Sequence, residues 1–296
     1  MHLDQCIQRY AKPTVMLTST GTLQITGPAY KGSKGCKIIN NTRLYYEITG
    51  EGQPLVFLHG FTLDHRMWDN QFYYFARYYQ CIRFDMRGFG QSALPGSGPY
   101  SYQEDIKSLL QSLGITVPVI LVGHSIGGQA ALNFALRYPH YTKALVLADT
   151  QIEGYVFKEF TTEQILNNAR NKSIEYARRK WISHEIFVHA RKNKITAECL
   201  DQMINFYSGW HFVSENPLVA LNPSPWVELE KLNTPVLAVY GELDLPDFIE
   251  MTEAAAARIP NAKKAIIPHA GHVSNMENPA LFNKELYRFF DSVTAD

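Results

Sequence analysis

The sequence predicts an α/β protein, a mostly parallel sheet with helices on both faces. Three observations predict it: short apolar runs alternate with segments of helical periodicity, one run opens through a glycine-rich turn straight into a helix, and a single long interval breaks the rhythm.

Composition sets the bounds. With 296 residues, 46% of them hydrophobic, the chain can bury a large core. Basic and acidic residues balance at 28 each without runs of one sign, so no electrostatic footprint for nucleic acid or an acidic membrane surface is present. Small neutral or mixed ligands are expected. Cys6, Cys36, Cys81 and Cys199 lack C-x-x-C spacing and are expected as free thiols. The first 30 residues carry no signal-peptide core, and no stretch approaches the ~20 apolar residues of a membrane span. A cytoplasmic location is therefore expected.

Residues 1–36 are rich in Thr, Ser, Gly and Lys, with weak alternation at Thr22-Leu23-Gln24-Ile25, and are expected to form an N-terminal extension. Lys37-Ile38-Ile39 and Leu44 to Ile48 flank Asn40-Asn41, which suggests an antiparallel hairpin. Apolar runs at Leu55 to Leu58, Cys81 to Phe84, Val119 to Val122, Ala144 to Leu147, Val236 to Tyr240 and Ala265 to Ile267 have the length and continuity of buried parallel strands. Helical candidates at 68–79, 101–113, 128–137, 247–258 and 279–291 supply the crossovers.

Between Asp149 and Trp226 no buried strand is legible, whereas Thr162 to Leu166, Ile174 to Trp181 and Ala197 to Tyr207 have helical spacing. Residues 150–226 are expected to form a helical cap over the strand ends of a core made of 37–149 and 227–296, the place where ligands bind in open α/β sheets. A plain structural extension is the alternative. The aromatic load of this interval favours a pocket wall, although most rings must be core. Trp210 and Phe206 are candidate substrate contacts.

Gly123-His124-Ser125-Ile126-Gly127 follows the strand-like Val119 to Val122 and opens onto the helix-like Gly128 to Phe134. Such a turn forces its central residue into a strained conformation, and flanking side chains would collide with strand and helix, so glycines are needed there. Ser125 would stand at the strand's end as a nucleophile. A glycine-rich turn with a capping serine is the alternative.

Over residues 37–296 the chain resembles an α/β-hydrolase, with its eight-stranded type of sheet. The resemblance rests on His59-Gly60-Phe61, Phe84 to Ser92, the Gly123 to Gly127 turn and Ala270-Gly271-His272, in that order. Within the family the chain looks most like small capped carboxylesterases and enol-lactone hydrolases, and Tyr207-Ser208-Gly209-Trp210-His211 is a weaker cue to the same group. The resemblance implies a nucleophile, acid and base in the order Ser, Asp or Glu, His. His272 is the preferred base because it lies in a short loop between a strand and the last helix; His269 is its rival. Asp244 stands where the family places its acid, Asp149 is the alternative, and Glu242 and Asp247 read as solvated loop charges. The oxyanion donors implied are the backbone N–H groups of Phe61 and Ile126. His59 and His124 read as structural. Asp85 and Arg87 read as an ion-paired turn that supports the oxyanion loop, while Arg66 and Trp68 are candidates for either the pocket or a helix start.

A serine in this turn excludes the alkyl-enzyme chemistry of relatives that carry aspartate there. The function expected is hydrolysis of a carboxylic ester of a small to medium acyl group through an acyl-enzyme. Enol-lactone or carbon–carbon hydrolysis of a dicarboxylate-like ring-cleavage product is the alternative, favoured if Arg66, Arg170 or Arg178 enters the pocket. A non-enzymatic small-molecule receptor on the same scaffold is a third. The partner expected is a small-molecule ester or lactone, without cofactor, metal, nucleic acid or membrane.

Overall fold

Strands buried on both faces are expected to be apolar throughout; five of the six runs named above are, and the sixth carries Arg83, buried in ion pairs with Glu47 and Asp69. A computed structural model describes residues 14–17, 23–26 and 32–294. The chain falls into two units, one ending at Lys31 and one beginning at Gly32. In the first, β1 (Thr14–Leu17) pairs antiparallel with β2 (Leu23–Thr26). Cys6 and Thr22 lie outside the described residues.

The second unit holds β3 (Gly32–Ile39), β4 (Thr42–Thr49), β5 (Pro54–Leu58), β6 (Gln80–Phe84), β7 (Val119–His124), β8 (Thr142–Ala148), β9 (Val236–Gly241) and β10 (Lys263–Ile267). They form one eight-stranded sheet in the order β10-β9-β8-β7-β5-β6-β4-β3. The β3–β4 hairpin is antiparallel and sits at one edge; from β6 to β10 the neighbours are parallel. Its turn residues Asn40 and Asn41 have φ of 44° and 59°, left-handed values that asparagine tolerates better than most residues. Because β3 starts at Gly32, residues 32–36 belong to the sheet and not to the extension expected from composition.

Leu55, Val56, Phe57 and Leu58 of β5 are wholly buried, as are Ile120, Leu121 and Val122 of β7. Each such side chain contributes about 1.5–3 kcal/mol. The edge strand β10 instead exposes Lys263 and Lys264, charges that discourage pairing with another sheet. From β5 the chain runs outward to β6 on one side, then returns to β7 on the other. A switch of this kind opens a crevice at the carboxyl ends of β5 and β7.

Helices α1 (Asp69–Phe75), α2 (Tyr102–Ser112) and α3 (Ile126–Arg137) follow β5, β6 and β7. Between β8 and β9 come α4 (Glu163–Asn171), α5 (Ile174–Ile182) and α6 (Lys194–Phe206), and then α7 (Pro246–Arg258) and α8 (Pro279–Thr294) complete the chain. The α1 and α8 helices meet through Phe75 and Phe290, with ring centroids 5.3 Å apart, and α2 packs on α3. The helical segment is tied to the sheet unit by specific bonds. Asp247, at the start of α7, accepts from the backbone N–H groups of Lys158, Glu159 and Phe160 at 2.9, 2.8 and 2.7 Å. Asp247 is thus a buried cap, not the solvated charge expected, and those donors hold its pKa below the ordinary carboxylate value against burial. Among the described residues no helix is long and apolar enough to cross a membrane.

Candidate active site

The turn between β7 and α3 puts Ser125 at φ 51° and ψ −119°, a conformation outside the ordinary wells for an L-residue. Strain of this kind costs about 1–3 kcal/mol and persists only where the surroundings fix it. Here Ser125 donates its N–H to Ala148 O at 3.0 Å, and its carbonyl accepts from Gln129 N and Gln151 N at 3.1 and 3.2 Å. The glycines permit the close approach: a Cβ on Gly127 would strike the Leu58 carbonyl of β5, and one on Gly123 would strike Gly127 itself. The start of α3 is thereby pressed against the end of β5.

His272 follows β10 and is buried, with Nδ1 3.0 Å from both carboxylate oxygens of Asp244, which follows β9. Asp244 Oδ1 also accepts from Leu245 N at 2.7 Å. Burial pushes the imidazole down to about 3 and the Asp244 carboxyl well up, so the low-polarity surroundings work against charge on either partner. Ser125, His272, Phe61 and Ile126 all line one cavity of about 250 Å³ at the carboxyl ends of β5 and β7.

The competing residues go elsewhere. The His269 side chain is 92% exposed and lies 3.8 Å from Glu242. Asp149 is wholly buried, accepting from Gly241 N at 2.8 Å and from Ser274 N and Oγ at 3.2 and 2.6 Å, so it ties the loop of the acid to the loop of the base. His59 Nδ1 donates to Gly60 O at 2.9 Å and its Nε2 accepts from Met86 N at 2.9 Å. His124 Nε2 donates to the His272 carbonyl at 2.6 Å, and its Nδ1 lies where a Cβ on Gly60 would be.

Two expectations need correction, the Asp85–Arg87 pair and the Phe206 and Trp210 contacts, and the residues left open take their places. Asp85 and Arg87 do not pair with each other: Asp85 holds His65 N, His65 Nδ1 and Gln91 N, whereas Arg87 makes a two-pronged bond to Asp105 at 2.9 and 2.8 Å. Of the two readings left open for Arg66 and Trp68, the helix start holds: both lie in the short helix His65–Trp68, where Arg66 forks onto the capping Asp64 at 2.9 and 2.6 Å, outside the cavity, and Trp68 is core. Phe206 is 56% exposed beneath the Arg66 guanidinium, and Trp210 is half-buried against His211; neither lines the cavity. Arg170 and Arg178 do not line it either; Arg178 bonds the Tyr207 carbonyl.

The cavity wall is formed instead by Phe160, Trp181 and Phe187 of the helical segment, by Phe89, and by Phe248, whose ring lies 4.3 Å from that of His272. Its polar groups are neutral: Gln129, Gln151, Thr162, Asn216, Tyr102 and His211 join Ser125 and the two histidines, and no Asp, Glu, Lys or Arg lines it among the described residues. His211 stacks on Phe89 at 4.5 Å, accepts at Nδ1 from the Tyr207 hydroxyl, and is pushed down to about 3 by burial, so it too is uncharged. Phe89 and His211 sit inside motifs the sequence singled out; Phe248 and Gln151 carried no signal. Asp64, His65 and Asp85 form a tight buried cluster apart from this cavity, but Arg66 and His65 already engage the two carboxylates.

Known proteins are similar to this chain in fold. Residues 53–189 match the family model described as alpha/beta hydrolase fold. The chain is similar in structure to a thermophilic esterase from Thermogutta terrifontis, with a TM-score of 0.73 and 26% identity over 88% of this chain and 99% of that one. The enol-lactonase from Burkholderia xenovorans LB400 shares the fold, with a TM-score of 0.75 and 21% identity over 86% and 99% of the two chains. In sequence, the (E)-2-((N-methylformamido)methylene)succinate hydrolase of Acinetobacter baylyi is 23% identical over 88% of this chain and 98% of its own. With its sheet order, its serine turn and these similarities, the chain has the α/β-hydrolase fold.

Proposed function

We propose that the protein is a serine hydrolase that cleaves an uncharged carboxylic ester or lactone of small to medium acyl size. Ser125 Oγ attacks the carbonyl carbon and passes its proton to His272 Nε2, while Asp244 accepts from Nδ1–H and so keeps the second nitrogen free as a base. The tetrahedral oxyanion is held by the N–H groups of Phe61 and Ile126. His272 then protonates the leaving alcohol, and water, activated by the same imidazole, releases the acid. No cofactor enters these steps. Residues 150–226 act as a cap whose aromatic side chains bound the acyl group.

The observation that carries the substrate reading is the neutral cavity wall beside a strained serine and a His–Asp pair. The Acinetobacter relative acts on a succinate. A dicarboxylate would leave its charge unpaired in this wall, at a cost of several kcal/mol. Ester and lactone hydrolysis therefore fits better than cleavage of a dicarboxylate ring product. A panel of p-nitrophenyl esters and lactones of graded acyl length, set against the same esters with a terminal carboxylate, tests this. Multiple turnover of the neutral series with at least tenfold lower kcat/KM for the charged series is expected; preference for the charged series, or a single turnover as in a receptor, would overturn it.

A further inference from the structure

After β5 the chain turns sharply: Leu63 N–H closes on Gly60 O at 3.2 Å, and Thr62 takes the third turn position with φ 62°. Glycine or asparagine ordinarily occupies a position of that kind, and a β-branched residue there is strained. Two bonds hold it, the second of them buried. The Thr62 hydroxyl donates to the Phe61 carbonyl at 2.6 Å, and its oxygen accepts from the Trp181 indole N–H at 2.7 Å. Thr62 is wholly buried and Trp181 is 3% exposed, so water does not compete. Trp181 lies near the end of α5 in the helical segment, and its ring also meets the Phe61 ring edge-on at 6.0 Å.

We propose that Thr62 and Trp181 are positioning residues for the oxyanion-binding turn: the helical segment reaches down through one indole N–H, fixes the Thr62 hydroxyl, and so fixes the peptide planes on either side of Phe61. The inference rests on the reading of Phe61 N–H as an oxyanion donor. Its physical content is that oxyanion donors work only when held where the charge develops, so freedom in this turn lowers turnover although neither side-chain polar group touches the substrate. The single indole bond also makes the helical segment part of the catalytic scaffold as well as a pocket wall.

The test uses Trp181→Phe, which keeps a ring and removes the N–H, Thr62→Val, which replaces the hydroxyl with a methyl, and Thr62→Ser, which keeps the hydroxyl. For a p-nitrophenyl ester, Trp181→Phe and Thr62→Val should each lower kcat about tenfold to a hundredfold with KM within about twofold. Inhibition by a trifluoromethyl ketone, whose adduct carries the oxyanion, should weaken by the same factor. Thr62→Ser should restore both, and the double variant Thr62→Val with Trp181→Phe should be little worse than either single change. Additive losses, a rise in KM at constant kcat, or unchanged kcat in Trp181→Phe would overturn the proposal. Wild-type protein that a serine-directed phosphonate fails to label would instead overturn the underlying serine reading as well, so the two failures are told apart.

Discussion

Asp244 and Asp149 stand at the ends of neighbouring strands, both buried, and only their partners separate them: Asp244 faces His272, while Asp149 bridges Gly241 and Ser274. Asp244→Asn should lower kcat by about four orders of magnitude through loss of the correct imidazole tautomer. Asp149→Asn places an amide among three donors and should lower stability by about 1–3 kcal/mol while leaving kcat within roughly tenfold. Steady-state kinetics with thermal melts of both variants separates the roles, and a reversed pattern would reassign the acid. Burial also fixes the direction of the pH dependence. A base whose pKa is lowered stays neutral, and competent, to lower pH; activity is lost only as pH falls through that lowered value. The acid limb of kcat/KM should therefore lie below the ordinary imidazole value of about 6.5. A limb above it would mean that the Asp244 charge outweighs desolvation. Ser125 and His272 were legible because each sits where an apolar run meets a glycine-containing turn; the choice of acid rested on family position, since spacing cannot tell which of two strand ends a histidine faces.

At the scale of elements, periodicity found the strands and crossover helices, most ends within three residues, although β3 starts five residues before the Lys37 run and α1 stops four short of the expected end, and it found α6. It did not give the direction of the helix ends. Leu200, Met203 and Ile204 bury one stripe of α6, which turns Phe206 outward, and Trp210 begins a short turn whose next residue, His211, faces the cavity instead. Phe206→Ala should leave the acyl-length preference unchanged, whereas Phe160→Ala or Phe187→Ala should move it toward longer chains, each extra buried methylene being worth about 1–3 kcal/mol. Profiles of kcat/KM across p-nitrophenyl esters check this, and a shift in Phe206→Ala alone would contradict the assignment of the wall. The ties that hold the helical segment, Asp247 to the backbone of 158–160 and Trp181 to Thr62, join residues far apart in sequence and leave no periodic trace.

Across the whole molecule, net neutrality and the α/β alternation were legible from composition and pattern; composition left small neutral or mixed ligands open, and the uncharged cavity wall favours the neutral ones. The order of strands was not legible, because each buried apolar run is interchangeable with the next, and the structure alone gives it. The order matters because β5 and β7 lie side by side, which brings the Phe61 turn to the serine turn across one crevice. Ser125 as the sole nucleophile at that junction is the central claim. Reaction with a fluorophosphonate followed by peptide mass spectrometry tests it most directly: one adduct per chain at Ser125, abolished by Ser125→Ala, is the result predicted. An adduct on another residue, or none on a folded chain, would contradict it.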